Sequence, residues 1–209
     1  MADAISLDAA RTALIIQDLQ NDVISAGGAF ADTGAAAHAE SQQVVQHVAA
    51  LAAACRAHGI PVIHVHFIVE AGTPGLRLNA PLFLGIRETG AVVRGTWGAA
   101  PVDGLAPQPG DHVVEKMRMN GFYQTRLDTL LRGLETETVL ICGAWTNMSV
   151  EHSARHAADA GYNVVVVADG TSTISDEWQH AALDYALTNV AKCLGSDELI
   201  RAIHASAIA

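Results

Sequence analysis

The sequence predicts an α/β domain built on a central, mainly parallel sheet with helices on both faces. Short Val/Ile-rich runs alternate with stretches of helical periodicity along the whole chain. The runs are apolar at consecutive positions, as expected of strands covered on both faces. The composition, half apolar, rich in alanine and only 5% aromatic, suits helices packed closely on a sheet.

The elements follow in order. Thr12-Ala13-Leu14-Ile15-Ile16-Gln17 reads as a buried strand that delivers Asp18 to its C-terminal end. From His38 to His58 the apolar positions Val44, Val45, Val48, Leu51, Ala52 and Cys55 mark a crossover helix stopped by Gly59. Pro61 to Val69 is the second strand, and His64 and His66 share one of its faces. Residues 71–110 show little periodicity. An irregular segment of that length in a compact domain is expected to contain short helical turns and to wall a pocket. Asp111 to Lys116 is a third strand, Thr125 to Arg132 a helix, and Thr138 to Cys142 a fourth strand. A helix is expected from about Asn147 to Ala160, closed by Gly161, then a fifth strand from Asn163 to Ala168. Ser175 caps a helix running to about Val190, and a short strand at 191–194 and a final helix after Ser196 complete the pattern. Right-handed crossovers between such strands give a parallel sheet.

A chain of 209 residues with 16% charged residues and a mean hydropathy of +0.24 suits one core, so residues 1–209 are expected to form a single domain. The net charge of -10 and pI near 5.3, with Lys and Arg scattered singly, argue against nucleic acid as a partner. No stretch is long and apolar enough for a membrane span, and Met1-Ala2-Asp3-Ala4 lacks the basic start of a secretion signal. Cys55, Cys142 and Cys193 are odd in number and lie in apolar segments, as buried thiols do in a reducing compartment. A cytoplasmic protein is the expectation.

In open parallel sheets the ligand crevice lies outside the carboxyl ends of the strands. Asp18, Lys116 and Ser149 follow three separate strands at that end. A carboxylate, an ammonium and a nucleophile position are the ingredients of covalent hydrolysis. Ser149 is expected to begin a helix, where unpaired amides and the helix dipole stabilise an oxyanion. The same field would hold a cysteine as thiolate, whereas a serine hydroxyl gains little from it.

Four ordered motifs carry a family resemblance: Ile16-Gln17-Asp18-Leu19-Gln20-Asn21-Asp22; Gly95-Thr96-Trp97-Gly98; Val114-Glu115-Lys116 with Gly121-Phe122-Tyr123-Gln124-Thr125; and Gly143-Ala144-Trp145-Thr146-Asn147-Met148-Ser149-Val150-Glu151. In this order they resemble the isochorismatase-like cysteine hydrolases over nearly the whole chain. The resemblance implies a three-layer α/β/α Rossmann-like domain and an Asp-Lys-Cys triad that hydrolyses amide or ureido C–N bonds through a thioester. Asp18 and Lys116 match the family's aspartate and lysine. Ser149 falls where the family has its cysteine, and that is the departure. The resemblance further implies a non-proline cis peptide at Ala144-Trp145, an oxyanion hole from the amides of Trp145 and Ser149, no cofactor, and a homo-oligomer, either dimer or tetramer.

Taken singly, Asp18 reads as a loop anchor, Lys116 as a surface lysine and Ser149 as a helix N-cap; their places in the motifs make them catalytic candidates. Trp97, Tyr123, Trp145, Asn147 and Arg118 are the expected substrate-binding residues, with Arg87 and Arg94 as further groups near the variable wall that suit a carboxylate. His64 and His66 lack a third spaced partner, so no metal site is expected. Cys142 should be a buried packing thiol.

The expected activity is hydrolysis of a small-molecule amide or ureide, slowed or abolished by serine at position 149. The retention of Lys116 and of the turn residues suggests an engineered Cys-to-Ser replacement in an otherwise intact site. An isochorismatase-type vinyl ether hydrolase, with Asp18 as acid, is the alternative. A non-catalytic small-molecule binding protein of the same fold is another; a true serine hydrolase lacks a motif histidine as base.

Overall fold

The computed structural model describes residues 5–206. Met1-Ala2-Asp3-Ala4, where no secretion signal is expected, lie outside the described residues. Six parallel strands form one sheet: β1 (Thr12–Gln17), β2 (Val62–Phe67), β3 (His112–Lys116), β4 (Thr138–Ala144), β5 (Asn163–Ser172) and β6 (Lys192–Leu194), in the order β3-β2-β1-β4-β5-β6. The helices are α1 (Asn21–Ile24), α2 (Ala35–Ser41), α3 (Val44–Ala57), α4 (Pro81–Thr89), α5 (Leu127–Gly133), α6 (Glu151–Asp159), α7 (Asp176–His180) and α8 (Ser196–Ser206). Among the described residues no helix is long and apolar enough to cross a membrane.

The unbroken apolar strands give two cores because successive side chains leave opposite faces of the sheet. Leu14 and Ile16 of β1, Leu140 and Cys142 of β4 and Val165 and Val167 of β5 pack with Val48 and Leu51 of α3 and Leu199 and Ile203 of α8. Ala13, Ile15, Val139, Ile141, Val164 and Val166 face the other way, toward Leu127 and Leu131 of α5 and Ala154 and Ala157 of α6. The three-layer expectation therefore holds.

Several boundaries differ from the sequence pattern for local reasons. The helix expected over 38–58 is two helices, because Gln43 adopts a left-handed conformation (φ 51°) between α2 and α3. Its C-terminus follows the expectation, with Gly59 at φ 71° and the Ile60 amide donating to the Cys55 carbonyl at 2.9 Å. The segment 71–110 contains the nine-residue helix α4, opened by Pro81 and closed by Gly90 at φ 67°. Only Phe83 and Ile86 of that helix are buried, too few to give a periodic signal. Strand β5 runs past the expected end at Ala168 to Ser172: its register against β4 jumps from Ile141↔Val166 to Gly143↔Thr171, so residues 167–170 form a bulge. Ser175 caps α7 by accepting from the Trp178 amide, but that helix widens into a π-type turn over Ala181–Ala186 and ends early.

Strand β1 leads to β2 on one side of the sheet, and β4 leads to β5 on the other. The crevice between β1 and β4 is thus the topological switch point, where ligand sites form. The shared core makes a direct prediction. Leu140→Ala, on the fully buried central strand β4, should lower the unfolding free energy by about 2–5 kcal/mol. Urea denaturation should show this as a lower midpoint at unchanged slope. A loss below about 1 kcal/mol would contradict this packing.

Candidate active site

Asp18 is the first residue beyond β1, and its left-handed φ of 55° turns the chain out of the sheet. Its amide still donates to the Val65 carbonyl at 2.8 Å, which holds it against β2. Lys116 ends β3, two strands away in the sheet. The two meet in a buried ion pair, Nζ to Oδ2 2.7 Å, with side chains 0% and 4% exposed. The Lys116 ammonium also donates to the carbonyls of Arg118 and Met119 at 3.0 Å each and to Ser149 Oγ at 3.3 Å, and it lies 4.8 Å from the centre of the Phe67 ring. So charge and N–H groups are matched by acceptors in a volume without bulk water.

Burial pushes the Asp18 carboxyl above the ordinary carboxylate range, and the Lys116 charge works against that rise. Burial likewise pulls the Lys116 ammonium down, opposed by Asp18. A carboxylate made more basic in this way is a better proton acceptor at neutral pH.

Ser149 lies in a π-type turn, Thr146–Val150, that joins β4 to α6. It does not sit on the first residue of a regular helix, as the sequence suggests; the wide turn carries it there. The amides of Met148 and Val150 both donate to the Trp145 carbonyl, at 3.0 and 3.3 Å. The Ala144-Trp145 peptide is cis, at the position the family resemblance implies. Gln17 anchors the turn from β1, donating from Nε2 to the Ser149 carbonyl at 2.8 Å and to the Met119 carbonyl at 3.2 Å. Gly143 has to be glycine, since a Cβ there would fall on the Gln17 backbone at φ 132°.

Gln20, Asp22 and Gly98 of the motifs form scaffolding contacts. Gln20 donates to the carbonyls of Phe67 (2.9 Å) and Ala99 (2.7 Å) and accepts from the Phe67 amide (2.8 Å). Asp22 accepts from the amides of Ala29 (3.0 Å) and Val92 (2.7 Å), and a Cβ on Gly98 would fall on its carboxylate. These side chains pin the 71–110 segment over the strand ends.

Asp18 and Ser149 open onto a cavity of about 420 Å³, counted to its open mouth. Its walls are otherwise apolar and include Phe30, Phe67, Leu82, Ile86, Val92 and Trp145. Trp145 is therefore where the sequence places it, its ring edge-on to Phe30 with centroids 5.8 Å apart. The other expected substrate-binding residues are not on these walls. Trp97 and Tyr123 are 58% and 51% exposed. Asn147 accepts from the Thr173 hydroxyl at 2.6 Å, tying the turn to the end of β5. Arg118 stacks on the Phe83 ring at 3.6 Å and donates to the Arg77 carbonyl and Asn79 Oδ1, in a separate cleft that it shares with Tyr123. Arg94 is held by Glu70 and Glu115. Loop residues point where their own hydrogen bonds take them, and sequence order does not encode that. The wall residues Phe30, Leu82, Ile86 and Val92, which the sequence did not single out, lie in segments with no repeating pattern.

His64 is committed to Asp111 at 3.1 Å, beside the Arg56–Asp111 pair at 2.7 Å. Among the described residues no group of three His, Cys, Asp or Glu side chains is placed to hold a metal. Cys142 is fully buried, its Sγ 3.4 Å from the Ile15 carbonyl, and burial pushes its thiol strongly up.

The strand order is that of a Rossmann-like α/β domain, with a buried Asp–Lys pair and a hydroxyl on the turn after β4 gathered at the carboxyl ends of its strands. The isochorismatase domain model matches residues 12–198, and the chain belongs to that family. It is 35% identical over 210 residues to ureidoacrylate amidohydrolase RutB of Methylobacterium radiotolerans, spanning 92% of this chain and 78% of the relative. Among solved structures it resembles a cysteine hydrolase from Pseudomonas syringae pv. phaseolicola with a TM-score of 0.86 at 24% identity, covering 99% of this chain and 100% of that one. It also resembles N-carbamoylsarcosine amidase from Thermoplasma acidophilum, with a TM-score of 0.69 at 27% identity over 90% and 97% of the two chains.

The buried pair can be tested by stability. Lys116→Met leaves the Asp18 carboxylate buried without its cation and should cost about 3–5 kcal/mol. Adding Asp18→Asn to that variant should restore much of the loss, measured by chemical denaturation at neutral pH. Equal losses in the single and double variants would show that the two groups are not coupled.

Proposed function

We propose that the protein is a hydrolase of small amides or ureides whose nucleophile position is occupied by serine, so that it binds substrate and turns it over slowly or not at all. The observation that carries this is that Asp18 and Ser149 both open onto one apolar cavity, with the Lys116 ammonium behind them at 2.7 Å from Asp18 and 3.3 Å from Ser149. The names of the relatives, an amidohydrolase and an amidase, support C–N bond hydrolysis.

With a thiol at position 149, Asp18 takes its proton and the thiolate attacks the carbonyl carbon. The amides of Trp145 and of position 149 hold the oxyanion; the proton on Asp18 passes to the nitrogen as the C–N bond breaks, so that ammonia leaves; water, deprotonated by Asp18, then cleaves the thioester, and that proton returns to the thiolate. Lys116 orients Asp18 and stabilises the negative charge. A thiol, with an ordinary pKa of about 8.5, is acidic enough for a buried carboxylate to deprotonate, and a serine hydroxyl is far less so. A cytoplasmic, homo-oligomeric state belongs to the same proposal; exposed Leu84, Trp178 and Tyr185 are surfaces on which the oligomer can be mapped.

Ser149→Cys is the direct test. The introduced thiol should react with iodoacetamide faster than Cys55 and Cys142, which are buried and raised in pKa, Cys55 to about 12. The same variant should release ammonia from small amides or ureides. A folded Ser149→Cys protein that is inert to iodoacetamide and to a broad amide panel would overturn the proposal.

The pH dependence follows from Asp18. The reaction needs the ionised carboxylate, and burial raises its pKa, so turnover by Ser149→Cys should fall with decreasing pH at values above those of an ordinary carboxylate. Lys116→Gln in that background removes the charge that opposes the rise, and should move the acid limb of the kcat profile higher still. An acid limb in the ordinary carboxylate range, unmoved by Lys116→Gln, would exclude Asp18 as the base.

The raised carboxyl also favours a second reading, an isochorismatase-type reaction in which protonated Asp18 is the acid and no nucleophile is used. Pyruvate release from isochorismate by the serine protein would establish it.

A further inference from the structure

The cavity beside Asp18 and Ser149 carries information about the substrate that the motifs do not. Among the described residues no lysine, arginine or histidine lines it, and its polar lining residues are Asp18 and Ser149. Lys116 reaches Asp18 and Ser149 from behind, with its donors taken up by Asp18 Oδ2, Ser149 Oγ and two backbone carbonyls. Trp145, which lines the wall, directs its indole N–H toward the Val23 carbonyl at 3.5 Å and so presents hydrocarbon to the cavity. Of the arginines near the variable wall, Arg94 is held by Glu70 and Glu115, Arg118 by backbone, Asn79 and the Phe83 ring, and Arg87 is exposed on α4 and is not among the residues lining the cavity.

A carboxylate brought into this space would lose its hydration and find no cation with a free donor, because the nearby ammonium, Lys116, is already neutralised by Asp18 at 2.7 Å. An uncharged carboxamide or urea head faces the opposite situation. Asp18 Oδ1 is buried and has no hydrogen-bond partner among the described residues, so it is able to accept from an N–H. Beyond that head lie Phe30, Leu82, Ile86 and Val92, an apolar lining that suits a compact hydrocarbon substituent.

We propose that the site takes neutral primary amides or ureas bearing a compact hydrocarbon substituent, and rejects substrates that carry a carboxylate. This rests on the hydrolase reading above and separates this chain from what its 35% identical relative is named for, since ureidoacrylate is an anion.

The experiment measures kcat/KM of Ser149→Cys for isovaleramide and benzamide against succinamate and ureidoacrylate, after confirming that the introduced thiol reacts with iodoacetamide. The neutral amides should be preferred by about 100-fold or more, the scale set by leaving a carboxylate buried and unpaired. Leu82→Arg in that background, which adds a cation to the partly buried wall, should narrow the preference by about 10-fold through the KM of the anionic amides. The unmutated serine protein gives an independent readout: isovaleramide and benzamide should bind in ligand-observed NMR and the two anions should not. A reactive thiol with equal or better turnover of the anions overturns the substrate class and leaves the hydrolase reading standing. An unreactive thiol with no turnover overturns both.

Discussion

The buried contact between Lys116 and Asp18 is the interaction on which the site depends. It joins the tips of β3 and β1, which are separated by β2 in the sheet and by most of a hundred residues in the chain, at an N–O distance of 2.7 Å. Neither charge is tolerable alone at that depth. Asp18 needs the ammonium, and the ammonium needs Asp18 together with the carbonyls of Arg118 and Met119. Satisfying this demand fixes where β3 ends and where the following loop turns back, and Gln17, bonded to Met119 and Ser149, extends the constraint to the nucleophile turn. Three segments distant in sequence are thereby held to one geometry.

A second set of constraints builds the wall. Gln20 and Asp22 reach from the end of β1 into the 71–110 segment and hold Phe67, Ala99 and Val92 by hydrogen bonds to backbone. Gly98 leaves room for the Asp22 carboxylate. The helix α4 then contributes Leu82 and Ile86 to the cavity while its own short apolar face packs Phe83 inward. The polar pair and the apolar wall thus have different sources: residues at strand ends supply the pair, and the 71–110 segment, together with Phe30, Phe67 and Trp145, supplies the hydrocarbon of the cavity.

This division explains what was legible beforehand. The six strands, their parallel arrangement and the two-faced core follow from runs such as Val164 to Val167, whose apolar residues have no place except between two helical layers. Asp18 and Lys116 were legible as strand-tip residues, and Ala144-Trp145 as a cis peptide through the family resemblance. Trp97, Tyr123, Asn147 and Arg118 did not prove to be on the cavity walls. Each is on a loop or turn, where the direction of a side chain is set by nearby partners such as Phe83 for Arg118 and Thr173 for Asn147. The breaks at Gln43 and at the β5 bulge were illegible for the same reason, since a single left-handed residue or a local register shift leaves the apolar pattern almost unchanged.

The sequence by itself determined the fold class, the order of the elements and the identity of the polar residues at the strand ends, because periodicity and local turn chemistry are properties of neighbouring residues. Only the tertiary structure decided which of those residues meet, that the Asp18–Lys116 pair is buried, and that the cavity in front of it is lined by hydrocarbon and, among the described residues, by no cation. Those properties depend on distances between segments far apart in the chain, and burial, which sets both the basicity of Asp18 and the character of the cavity, exists only once they have packed.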